Sequence, residues 1–185
     1  MQKKYKITKV LTILVIMIFN VYVLAGCSLD VFNKNGSKDD NSASSEKDID
    51  EESADYAKPI KYLVEGLEES NAEKFLKAFP AFISESMDEY ITDDYLKIAV
   101  DATKEKYGDN IKMSFKITDK DKISDENLRE MEDEVKESFG DDIVINKGYK
   151  VSVDIVTKGD SSENTEKDTF DVFEIDGNWY VLDLQ

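Results

Sequence analysis

The chain contains one cysteine, Cys27, and no histidine. Without imidazole there is no His base for a Ser, Cys or Thr nucleophile, no His metal ligand and no side chain that ordinarily titrates near neutrality. A lone cysteine forms neither an intramolecular disulfide nor a Cys-pair metal site. Carboxylate, Lys and Tyr chemistry remain. Asp119, Asp121, Asn127 and Glu130 place oxygen donors at the first, third, ninth and twelfth positions of a calcium-loop pattern. Ile123 stands at the fifth, where an oxygen is wanted, and Ser124 replaces the glycine of the sharp turn. A strand-to-helix loop containing Lys120 and ending in a Ser124 cap explains the same residues. Glu126, Glu130 and Glu134 form a row at helical spacing, with Glu137 three residues beyond. Their repulsion costs roughly a few tenths of a kcal/mol per pair. A bound cation would relieve it, but salt-screened surface is the simpler account. No metal, no cofactor and no catalytic residue is assigned.

The surroundings of Cys27 are more specific. Lys3, Lys4, Lys6 and Lys9 precede an apolar run from Val10 to Leu24 that only Thr12 and Asn20 interrupt. This has the form of a secretory signal. Leu24-Ala25-Gly26-Cys27 resembles the bacterial lipobox, in which the cysteine thiol receives diacylglycerol and a peptidase then cleaves before it. The resemblance implies a signal peptide over 1–26, cleavage between Gly26 and Cys27, and a protein held to the membrane through a lipidated Cys27 at its new N-terminus. Two acyl chains suffice for lasting attachment. The alternative, an uncleaved span through Gly26, gives a helix of about 25 Å against a hydrocarbon core of about 30 Å. Either way the lysines before the run place the remainder on the extracytoplasmic face of the cell membrane.

The whole chain has 24 Lys plus Arg against 41 Asp plus Glu, a formal charge of −17. Without the four lysines of residues 1–26 the balance is 20 against 41, or −21. Such a surface repels phosphate backbones and anionic headgroups, so neither a nucleic-acid partner nor electrostatic membrane adhesion is expected. Between Asn33 and Ser53 only Ala43 and Ile49 are apolar. Residues 27–53 are therefore read as the lipidated cysteine and a disordered acidic spacer, with a reach on the order of 25 Å for its polar part.

Residues 54–185 are read as one domain of α+β class. Tyr56, Ile60, Leu63, Val64 and Leu67 share a helical face, with Pro59 in the first turn. Asn71 is expected to cap a short helix carrying Phe75, Leu76 and Phe79, ended by Pro80, and Ser84 a further turn through Tyr90. Thr92 precedes a helix whose inner stripe is Leu96, Ala99, Val100, Thr103 and Tyr107, stopped by Gly108. Ile111, Met113, Phe115 and Ile117 alternate along a strand over Asn110–Thr118. A helix from the Ser124 cap to Gly140 carries Leu128, Met131, Val135 and Phe139 inward. Strands Ile143–Thr157, Thr165–Ile175 and Asn178–Leu184 follow, the last two joined by a hairpin at Asp176-Gly177. Trp179 and Tyr180 face opposite sides of their strand, so only one is expected in the core.

This layout, with the polar turn Glu69-Ser70-Asn71 between the first helices and the ending Phe173-Glu174-Ile175-Asp176-Gly177-Asn178-Trp179-Tyr180-Val181, resembles the nuclear transport factor 2-like, cystatin-like superfamily. The resemblance covers about residues 54–185. It implies N-terminal helices packed on a strongly curved antiparallel sheet in a cone-like arrangement. The helix around Leu128 between the strands departs from the simplest layout. Fold does not assign function. Two readings follow: a non-catalytic binding or protein-interaction module of the cell envelope, whose partner is an envelope protein or small ligand, or a small-ligand carrier or enzyme with a carboxylate- and Tyr-lined cup. A buried carboxylate in a deep pocket favours the second, and a cup filled by Phe, Leu and Ile favours the first. Two lobes and a hinge, as in solute receptors of transporters, would need a longer chain.

Overall fold

The computed structural model describes residues 51–182; Gly26, Cys27 and nearly all of the spacer lie outside them. Two short 3-10 turns, Glu51–Ser53 and Asp55–Ala57, lead into helix α1 (Lys58–Glu68), which has Pro59 in its first turn. Tyr56 thus lies in the turn before the helix rather than on it. Asn71 Oδ1 accepts the Lys74 amide at 2.9 Å and opens α2 (Ala72–Leu76) as expected. Helix α3 (Ala81–Met87) corrects the reading of Ser84 as a cap: it starts after Pro80, and Ser84 lies inside it. The apolar pair Ile83 and Met87, four residues apart and both buried, fixes the earlier start. Thr92 Oγ1 accepts the Tyr95 amide at 3.2 Å at the head of α4 (Asp93–Tyr107). Its five anticipated inner residues, Leu96 to Tyr107, are all buried.

Strand β1 (Lys112–Lys122), helix α5 (Asp125–Phe139), and strands β2 (Ile145–Lys158), β3 (Glu163–Ile175) and β4 (Asn178–Val181) complete the domain. The four strands form one antiparallel sheet in the order β1-β2-β3-β4, and the sheet is not closed. Asp176 (φ 51°) and Gly177 (φ 78°) make the two-residue turn with both residues left-handed, as the hairpin reading required. Ser124 Oγ accepts the Asn127 amide at 3.2 Å, and Gly140 (φ 82°) ends α5.

The register divides the sheet into two faces. Phe115, Ile117, Val151, Val153, Phe170 and Val172 share the inner one, toward α1, which approaches the edge strands β1 and β4 more closely than the middle pair. Helix α5 lies on the opposite face, against β2. A Cβ on Gly148 there would stand 2.8 Å from both Leu128 Cδ2 and Phe173 Cδ1, so a larger residue would force these side chains to shift, and glycine lets α5 approach as it does. A bulge between Ile145 and Lys147 turns Ile145 to this same side, opposite Ile175. The open edges carry their own acceptors. Glu68 Oε2 takes the Met113 amide at 2.6 Å, and Asp119 Oδ1 and Asp168 Oδ1 take the amides of Lys120 and Thr169 at 2.9 and 2.8 Å. The second oxygen of Glu68 holds Lys112 at 2.9 Å, and this hydrogen bond raises the Lys112 pKa above its ordinary value. On the lysine's side the pair's contribution is therefore complete at neutral pH and is lost as pH rises through that raised value.

Gly66 packs against α2: an added Cβ would lie 2.5 Å from Phe75 N and 2.7 Å from Phe75 Cα, both rigid backbone atoms. Gly66→Ala should therefore destabilise by about 2 kcal/mol, because forced overpacking outweighs the roughly 1 kcal/mol that alanine gains in a helix. Gly140→Ala, in open space but at positive φ, should cost about 1 kcal/mol. Urea unfolding midpoints check both; a more stable Gly66→Ala protein would contradict the packing.

Candidate functional site: an aromatic corner beneath Lys120

Three aromatic residues from distant parts of the chain meet at one corner of the inner face. Tyr149 on β2 and Trp179 on β4 flank β3 on a diagonal: Val172, fully buried, stands opposite Tyr149, and Glu174 opposite Trp179. Strands two apart are about 9.6 Å from each other. The two rings nevertheless stack, with centroids 5.4 Å apart and planes inclined by 15°. Tyr56 closes the group from the turn before α1, 5.4 Å from Tyr149 at 59° and 6.1 Å from Trp179 at 71°. Its neighbour Ala57 is wholly buried, which fixes the turn against the sheet.

Lys120 is positioned by an irregularity in β1. Ile117 pairs with Val153 but Asp119 pairs with Ser152, so Thr118 is an extra residue. Strict alternation would send Lys120 to the outer face; the bulge places it opposite Val151, on the inner one. Its ammonium lies 4.6 Å from the Tyr56 ring centroid, 5.4 Å from that of Tyr149 and 3.4 Å from the Tyr56 hydroxyl. Beside the corner Lys147 Nζ pairs with Glu174 Oε2 at 3.1 Å, and Glu174 stands directly opposite Trp179. Ring faces, an ammonium and a bordering ion pair recognise a ligand by stacking and charge.

The residues singled out in the sequence fare differently. β1 runs to Lys122, beyond the expected end at Thr118, so Asp119 and Asp121 belong to a strand and not to a loop. Asn127 and Glu130 are on α5, and the calcium-loop pattern does not form. Among the described residues no group of three or more Cys, Asp or Glu side chains is placed to hold a metal ion. Glu126, Glu130, Glu134 and Glu137 are all exposed on α5. Trp179 and Tyr180 do face opposite sides, yet neither is fully buried, which corrects the expectation that one would be core. Each packs on a different layer, Trp179 in the corner and Tyr180 beside Phe173 on the α5 face. Thr103 is the one polar side chain in the buried class among the described residues, and it donates to the Ala99 carbonyl at 2.8 Å. Asp154 Oδ1 is buried without a hydrogen bond on the outer face, flanked in register by Lys116 and Lys167. Asp171 Oδ1 also lacks a well-aligned hydrogen bond, but Lys150 Nζ is 2.9 Å away, and that ion pair satisfies it.

Comparison with protein-family models, with curated proteins and with solved structures finds no match. The corner is therefore read from its own geometry. Tyr56 ties the turn before α1 to the far side of the sheet, and its loss should expose the stacked pair. Tyr56→Ala is expected to lower stability by about 1–2 kcal/mol and to shift the emission of Trp179, the only tryptophan, toward the red. Unchanged emission would mean that Tyr56 does not shield the indole.

Proposed function

We propose that the protein is a lipid-anchored lipoprotein of the bacterial cell envelope and that its domain is a non-catalytic binding or protein-interaction module of cystatin-like fold. The anchor is supported by the basic start, the apolar run and Leu24-Ala25-Gly26-Cys27. Helices layered on an unclosed antiparallel sheet, with α1 nearest the two edge strands, support the fold assignment. The observation that carries the functional reading is the filling of the inner face. Ile60, Met87, Leu96, Val151, Val153 and Val172 occupy it or pack with it, all 2% exposed or less, and no Asp or Glu among the described residues is in the buried class. A carrier or enzyme working through a carboxylate-lined cup needs a desolvated carboxylate there. The polar and aromatic groups available for recognition lie instead at the corner formed by Tyr56, Tyr149, Trp179 and Lys120.

Cys27→Ser should leave an uncleaved precursor that takes up no labelled fatty acid, whereas the wild-type chain is labelled and shortened. Normal labelling of that variant would overturn the anchor. For the module, isolated wall or membrane fractions should perturb Trp179 emission in the wild-type protein. Turnover abolished by removal of a single buried carboxylate would favour the enzyme instead.

A further inference from the structure

We infer that Ser45 to Asp50, the stretch just ahead of the described residues, binds along the outer edge of β1 as a parallel fifth strand. That edge has a bounded opening. The Met113 amide points away from β2, to Glu68, so strand alternation turns the amides of Phe115 and Ile117 the same way. Among the described residues no acceptor receives either of them. On one side of the pair Glu68 takes the Met113 amide at 2.6 Å, and on the other Asp119 takes that of Lys120 at 2.9 Å. Two open amides thus lie between two occupied ones, a place for a short strand and not for a long one.

Two observations name the occupant. The chain enters the domain at this edge, because the turn Glu51–Ser53 packs against β1 and α1, and Tyr56, three residues on, lies under Lys120. Residues 45–50, extended at about 3.3 Å each, reach about 20 Å, enough to run beside β1 from Ser114 to Lys120. The second observation is charge. β1 carries Lys112, Lys116, Lys120 and Lys122 against Asp119 and Asp121, a basic strand in a chain of net charge −17. In the approaching segment Glu46, Asp48 and Asp50 alternate with Lys47 and Ile49. With Ile49 beside Ile117, a buried residue of the inner face, Glu46 and Asp48 stand on the outer face next to Ser114 and the exposed Lys116. Opposite charges on neighbouring strands attract, and like charges oppose pairing. A second copy of β1 would instead bring a second set of lysines to the same edge. Pairing takes these residues out of the leash, so the domain is held nearer its anchor than the length of the spacer allows. The pairing itself does not depend on the anchor.

The test is amide hydrogen exchange across residues 113–118, followed by mass spectrometry in the full chain, purified in an uncharged detergent. Exchange at Phe115 and Ile117 should be about threefold or more slower in wild type than in Asp48→Lys, which sets a like charge beside Lys116. Lys116→Glu alone should speed it equally. The double variant Asp48→Lys with Lys116→Glu should restore the slow exchange, which neither a fold defect nor a change of net charge would do. Segments of β2 around Val151 and Val153 should exchange alike in all four proteins. The inference is overturned if wild type exchanges as fast as Asp48→Lys, or if the double variant stays fast. Protection that grows with protein concentration also overturns it, by placing a second copy on the edge. Failure of the lipid anchor would leave these rates unchanged, so the two readings fail separately.

Discussion

Side chains of a strand alternate between two faces, and one inserted residue reverses all those beyond it. Thr118 is such a residue in β1. Up to Ile117 the odd-numbered side chains face the helices; past the bulge Asp119 and Asp121 stay in water while Lys120 and Lys122 turn over the rim of the inner face. The irregularity at Ile145–Lys147 does the same for β2 and sends Ile145 to the face covered by α5. A regular sheet would have a single apolar side. The second slip adds Ile145 to Phe173 and Ile175 on the outer side, so the sheet has an apolar region on each face, and each packs against its own helical layer. Leu128 and Val135 of α5 and Ile60 and Leu63 of α1 accordingly belong to one continuous core, although they approach from opposite faces.

An unclosed sheet presents edge amides that invite pairing with other chains. Here acceptors come from the acidic residues in which the chain is so rich. Glu68, Asp119 and Asp168 each occupy an outward amide, and Lys residues crowd the same strands. Most of the ion pairs, such as Lys77–Glu73 and Lys136–Asp142, are exposed and add little stability individually. The acidic composition thus contributes more through edge satisfaction and solubility than through salt bridging.

Much of the framework was legible before any coordinates. The cap residues Asn71, Thr92 and Ser124 announce helix starts because each offers an oxygen just ahead of an apolar period, and Asp176-Gly177 announces a turn because both positions tolerate positive φ. Ser84 misled for the same reason: a hydroxyl is a good cap only where the helix has not already begun, and Pro80 began it. The corner was legible only in part. Trp179 stood out by type, but Tyr56 and Tyr149 are far away in sequence, and nothing local reveals that they converge. Lys120 was hidden by its setting, since Asp-Lys-Asp-Lys reads as a polar loop, and only the pairing with β2 exposes the bulge that re-aims it.

The junction between α4 and the β2–β3 turn has a practical meaning. Gly159-Asp160-Ser161-Ser162 has the composition of a permissive surface loop. Its amides, however, terminate a helix: Ser161 and Ser162 both donate to the Tyr107 carbonyl, at 2.9 and 3.2 Å, and Asp160 donates to Asp109 at 3.0 Å. A Cβ on Gly159 would lie 2.3 Å from that same Tyr107 oxygen. The tip of the longest hairpin is therefore a clasp across some fifty residues of chain. A tag or reporter spliced into it would unfasten α4, whereas the outwardly similar turn at Asp176-Gly177 has, among the described residues, open space around its glycine and is held by the pairing of its own strands.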